Sequence, residues 1–135
     1  MPFENDAIEP LLRAVRTIAI VGISDKPERD SHRVATYLQR AGYKIVPVNP
    51  LLKEVLGETC YPSLAEIPQP VDLVNVFRRP EEVPALVEAA IAHKAGALWL
   101  QLGVVHPEAA AHARAAGLKV VMDRCIKIEH AALAL

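Results

Sequence analysis

An α/β fold, a doubly wound parallel sheet of five strands in three layers, is predicted by three observations. Short β-branched runs alternate with segments of helical period along the whole chain. The run Ile18-Ala19-Ile20-Val21 passes through Gly22 into a polar turn and then a helix start. Polar and unusual residues gather just past the strand ends, at Ser24 to Arg33, Asn49-Pro50, Phe77-Arg78-Arg79-Pro80, Gln101 to Val104 and Asp123-Arg124-Cys125. Strands that alternate with helices without internal linkers pair in parallel and carry helices on both faces.

The elements follow in order. Asp6 is placed to cap a first helix with apolar positions Ile8, Leu11, Leu12 and Val15. The first strand is Thr17 to Gly22. A helix starts near Ser31, carries Val34, Leu38 and Ala41 on one face, and stops at Gly42. The second strand, Lys44 to Val48, is closed by Asn49-Pro50, and a linker runs through Gly57 and Cys60-Tyr61-Pro62. Ser63 to Ile67 reads as a single capped turn, and Val71 to Phe77 as the third strand. Val83, Leu86, Val87, Ala90 and Ile91 mark the next helix, Ala97 to Leu100 the fourth strand, and Pro107 to Ala116 an alanine-rich helix ending at Gly117. Lys119 to Met122 is the fifth strand, followed by a tail from Cys125 to Leu135.

Composition bounds the function. At 135 residues and 52% apolar, the chain can bury a sizeable core. A net charge of −1 argues against a general nucleic-acid or membrane-surface binder, so any anion site is local. Two distant cysteines, Cys60 and Cys125, signal neither a disulfide framework nor a zinc site, and a reducing cytoplasm is expected. The acidic start Met1 to Asp6 lacks the apolar core of a signal peptide. The five histidines lack metal-ligand spacing, and His93, His106 and His112 read as surface residues. No nucleophile, base and orienter stand together, so a catalytic site is not signalled.

The turn after the first strand suits phosphate. Gly22 lets the backbone approach a ligand, the amides of the following helix attract an anion, and Arg29 and Arg33 flank the turn as paired donors. Ser24 and Ser31 stand inside it, Ser31 where a serine commonly caps a helix. Arg78 follows a buried strand at the same edge, as a phosphate or ribose contact or as a solvated loop residue. Gln101 and Gly103 form either a plain turn or a place where backbone meets ligand. The dinucleotide fingerprint is incomplete, since Ser24 stands where its second glycine belongs and no glycine stands near Pro27. Where an NAD site supplies a carboxylate after the second strand, this chain has Val48-Asn49-Pro50. NADP is the runner-up.

These residues carry a resemblance. The chain is similar to the small single-domain CoA-binding proteins, relatives of the CoA-binding domain of succinyl-CoA ligase alpha subunits. The resemblance rests on Val21-Gly22-Ile23-Ser24 with Pro27, Arg29, Ser31 and Arg33-Val34, on Gly42-Tyr43 with Val46-Pro47-Val48-Asn49-Pro50, and on Gly57 with Tyr61-Pro62-Ser63-Leu64. Val74-Asn75-Val76-Phe77-Arg78, Trp99 to Val104 and Met122 to His130 complete it. Asp30 departs from the pattern, since an apolar residue or proline is more usual there. The resemblance implies one Rossmann-like domain over residues 1–135 that holds coenzyme A. The pyrophosphate would lie near the first loop and helix, and the adenosine near the second and third strands. The implied cofactor residues are Gly22, Ser24, Arg29, Ser31, Arg33, Asn49, Pro50, Phe77, Arg78, Gln101 and Gly103. The ligases take their chemistry from a histidine in a second domain, for which 135 residues leave no room. A binding or sensing module for CoA or an acyl-CoA, with a protein partner or a second copy, is therefore expected ahead of an enzyme. The alternative is a small enzyme using bound CoA or NADP through Cys125, whose thiol Arg124 would activate.

Overall fold

The computed structural model describes residues 5–135. Helix α1 (Ile8–Ala14) leads into strand β1 (Thr17–Val21), helix α2 (Asp30–Arg40) and strand β2 (Lys44–Val48). A two-residue hairpin, β3 (Glu54–Val55) and β4 (Glu58–Thr59), follows in what reads as linker. Then come a 3-10 turn (Leu64–Glu66), β5 (Leu73–Val76), a second 3-10 turn (Pro80–Glu82) and α3 (Val83–Ala92). Strand β6 (Ala97–Leu100), α4 (Pro107–Ala115), β7 (Lys119–Met122) and α5 (Ile126–Leu133) complete the chain. The tail is thus a helix.

Five parallel strands form one sheet in the order β2-β1-β5-β6-β7. Right-handed crossovers force the layering. The chain steps outward from β1 to β2, then back across β1 to β5 and on to β7, so the helices before and after that reversal lie on opposite faces. One core cluster holds Leu38, Ile20, Trp99 and Ile126 under α1, α2 and α5; the other holds Val74, Val87, Leu98 and Ala113 under α3 and α4. The Rossmann-like, three-layer α/β expectation holds. The interior strands are continuous apolar runs because both faces are covered. Asn75 on β5 is the exception, fully buried with both side-chain amide atoms unpaired among the described residues.

Both sheet edges are covered. Beside β2, Tyr61 N–H donates to the Pro47 carbonyl at 3.0 Å and Asn49 N–H to the Tyr61 carbonyl at 2.9 Å. Pro47 sits in an edge strand with its missing N–H turned away from β1, so it costs no bond there. Beside β7, Asn5 and Asp6 lie along the strand: Val120 N–H donates to Asp6 Oδ2 at 2.7 Å and Met122 N–H to Asn5 Oδ1 at 2.7 Å. Asp6 therefore closes a sheet edge instead of capping α1, whose N-cap is Ala7. No helix among the described residues is long and apolar enough to cross a membrane.

Candidate functional site

The strand order reverses between β1 and β5, and the loops after these two strands diverge at the carboxyl edge. Gly22 sits where they touch. Its φ is +88°, and a Cβ there would stand 2.3 Å from the Phe77 carbonyl oxygen. Glycine is needed here for the close packing of two loops, a reason the sequence did not show. Gly22 N–H donates to the Val48 carbonyl and Phe77 N–H to the Val21 carbonyl, at 2.9 and 2.8 Å.

The β1–α2 loop is held by its own side chains. Ser31, 7% exposed, accepts from Ser24 N–H at 2.9 Å, and Ser24 Oγ accepts from Lys26 N–H at 3.0 Å. Ser31 is not the helix cap; Arg29 holds the N-cap position without a side-chain bond. Asn49 ties the β2 loop to this one: its Nδ2 donates to the Ile23 carbonyl and its Oδ1 accepts from Leu51 N–H, each at 2.8 Å. Both ends of that amide are occupied. Asp30, the residue that departs from the pattern, pairs with Arg33, which also donates to the Glu28 carbonyl at 2.6 Å. Arg29 is exposed and makes no ion pair among the described residues.

Two adjoining cavities follow the edge. One, of about 520 Å³, lies over the β1–α2 loop and is lined by Gly22, Ser24, Lys26, Arg29 and Ser31, among others. The other, of about 860 Å³, lies over β5, β6 and β7 and includes Arg78, Gln101, Leu102, Gly103, Cys125 and Ile128. Asp30, Arg33 and Phe77 belong to both walls, so the two are one groove. Nine of the eleven expected cofactor residues line it; Asn49 and Pro50 do not, and Asn49 reaches it only through the loop that it holds.

In the larger cavity Arg78 is engaged with Glu82, Nε to Oε1 at 2.9 Å. That hydrogen bond, with Arg79 adding to it, holds the Glu82 carboxyl below the usual range. Gln101, 5% exposed, accepts from Ile126 N–H at 3.0 Å and so caps α5 from the loop after β6. Gly103 N–H donates to Asp123 Oδ1 at 2.8 Å. Cys125 is a half-buried free thiol at the N-cap of α5, in the cavity wall. Cys60 is buried elsewhere, and burial pushes its thiol up.

The histidines divide. His112 is exposed and faces Glu88, whereas His93 and His106 are half-buried, His106 Nδ1 capping α4 by accepting from Ala109 N–H at 3.1 Å. His130 is buried against Tyr37, its Nδ1 2.8 Å from the hydroxyl, while Glu129 faces Arg124. Adjacent on one helix, the two neighbours point to different sides.

Residues 16–131 match the model of the CoA binding domain. The chain belongs to the CoA-binding domain family. It is 45% identical over 124 residues to YneT of Bacillus subtilis (strain 168), covering 92% of each chain. Its fold matches a solved structure from Pyrococcus horikoshii OT3 with a TM-score of 0.91 and 41% identity, over 95% of this chain and 90% of that one. Over 73 residues, 54% of this chain, it is 32% identical to acetate–CoA ligase [ADP-forming] I of Archaeoglobus fulgidus, of which the match spans 11%. The fold and this family membership agree with the resemblance read from the motifs.

Proposed function

We propose that the chain binds coenzyme A or an acyl-CoA along this groove as a non-catalytic binding or sensing module in the cytoplasm. The observation that carries the reading is the groove itself: in a chain of the CoA-binding domain family, one continuous cleft runs from the β1–α2 loop past Phe77 to Gln101 and Gly103. The pyrophosphate lies over Ser24 and Ser31 with Lys26 and Arg29, neither in an ion pair among the described residues, as its cations, since Arg33 is engaged by Asp30. Arg78 must exchange Glu82 for the ligand to take part. NAD fits less well, because Asn49 spends both side-chain atoms on backbone and no carboxylate takes its place after β2. A protein partner or a second copy would read out the bound state.

Thermal shift with CoA, dephospho-CoA and NAD(H) tests the reading. A ligand that binds only the folded state adds about 2.7 kcal/mol of stability at a hundredfold excess over its Kd. CoA is expected to raise Tm and NAD to leave it unchanged; a larger shift with NAD overturns the reading. The position of Cys125 in the cavity wall favours a second reading, an enzyme using bound CoA or NADP through this thiol. The binding-module reading expects Cys125→Ser to keep its CoA affinity and the parent protein to show no turnover.

A further inference from the structure

The two ends of the groove differ in chemistry. The end over the β1–α2 loop is polar, with Ser24, Lys26, Arg29 and Ser31. The end over β6 and β7 is walled by Phe77, Pro80, Leu102, Val104 and Ile128. Leu102 and Ile128 are 60% and 58% exposed, and they are two of the four exposed large apolar side chains among the described residues. Both line the same cavity, Leu102 from the loop after β6 and Ile128 from α5. Large apolar side chains left bare on the rim of a cavity mark an apolar ligand group.

The charges at this end are largely spent on one another. Arg78 and Arg79 both face Glu82, and Asp30 faces Arg33. Lys127 leans over the Tyr37 ring, 5.9 Å from its centroid. Arg33, Arg78, Arg79 and Lys127 stand against Asp30 and Glu82 in this wall, and the apolar rim beside them rewards hydrocarbon. A molecule with phosphates at one end and an apolar chain at the other matches the groove along its length.

We infer that the groove selects acyl-CoA esters with an apolar acyl chain of several carbons over free CoA and over esters with a short acyl group, Leu102 and Ile128 holding the chain. The inference rests on the CoA reading and adds to it the ligand class. A cavity of about 860 Å³ accommodates the pantetheine arm with a chain of this size.

Titration calorimetry of the full chain with CoA, acetyl-CoA, succinyl-CoA and hexanoyl-CoA tests it. Each buried methylene strengthens binding about fourfold at most, so hexanoyl-CoA is expected to bind about tenfold or more tighter than CoA and acetyl-CoA, allowing for partial burial. Leu102→Ser with Ile128→Ser is expected to bring the ratio of hexanoyl-CoA to CoA affinity close to one. Both residues are exposed, so folding is preserved, which circular dichroism checks. Equal affinities for CoA and hexanoyl-CoA, or tightest binding of succinyl-CoA, overturn the inference and leave the CoA reading standing. Absence of binding by every CoA species overturns the CoA reading itself. A dimer by sedimentation that the double variant dissociates, with no acyl preference in the parent, assigns the rim to a second copy and overturns the inference.

Discussion

The loop after β1 and the loop after β6 lie on the same sheet edge and are built in opposite ways. In the first, side chains are spent on the loop itself: Ser31 holds Ser24, Ser24 holds Lys26, and Asn49 reaches across to Ile23. In the second, Gln101 reaches inward to cap α5, and Leu102 is left bare beside Ile128. The difference teaches how one edge would serve the elongated ligand proposed for it. A loop already fixed by its own bonds presents a phosphate with donors that lose little entropy on binding. An open apolar rim imposes little geometry and selects by buried area.

If the first loop is preformed, breaking its frame has the largest cost. Gly22→Ala places a methyl against the Phe77 carbonyl at a left-handed φ. Strain of this kind and a backbone clash together cost about 3 kcal/mol, which urea unfolding will read. A change below about 1 kcal/mol would show that the two loops separate easily, and the preformed frame would be lost as an idea.

Arg29 sharpens the comparison from the ligand side. Its replacement by Ala is expected to weaken CoA binding by about 1.5–3 kcal/mol, roughly 10- to 100-fold in Kd. Stability should barely change, because Arg29 holds no ion pair among the described residues. Calorimetry that finds unaltered affinity removes Arg29 from the site.

The smaller effect belongs to Ser31→Ala, which strips Ser24 N–H of its acceptor in a part-buried turn. A lost bond of this kind costs about 1–2 kcal/mol of stability. CoA affinity should fall as well if the turn presents the phosphate contacts. Reduced stability with full affinity would say that Ser31 serves the fold alone.

The five strands were legible because each is a β-branched apolar run, and their ends shift by a residue or two: Thr17–Val21 for an expected Thr17 to Gly22, Leu73–Val76 for an expected Val71 to Phe77. The β3–β4 hairpin was not, since two residues per strand leave no period to detect. Helix α5 escaped because its cap, Gln101, comes from the loop after β6, 25 residues earlier in the chain. Asp6 and Ser31 have the chemistry of caps, yet each satisfies a backbone amide remote from its own helix end. Polar groups go where an unpaired amide is left, and in both cases tertiary packing creates that need. The groove's polar residues were legible by position after the strands. Its apolar rim was not, because exposure of Leu102 and Ile128 is set by packing that only the folded chain shows.

The central claim is that CoA lies along the carboxyl edge with its phosphates on the β1–α2 loop. Amide shift mapping of the ¹⁵N-labelled protein during titration with CoA tests it most directly. The account predicts the largest perturbations at Ser24, Lys26, Arg29 and Ser31, continuing through Phe77 and Arg78 to Gly103, with Gly42 and Gly117 at the opposite edge unmoved. Perturbations centred on that opposite edge, or on the groove between α2 and α5 lined by Arg40 and His130, would contradict it.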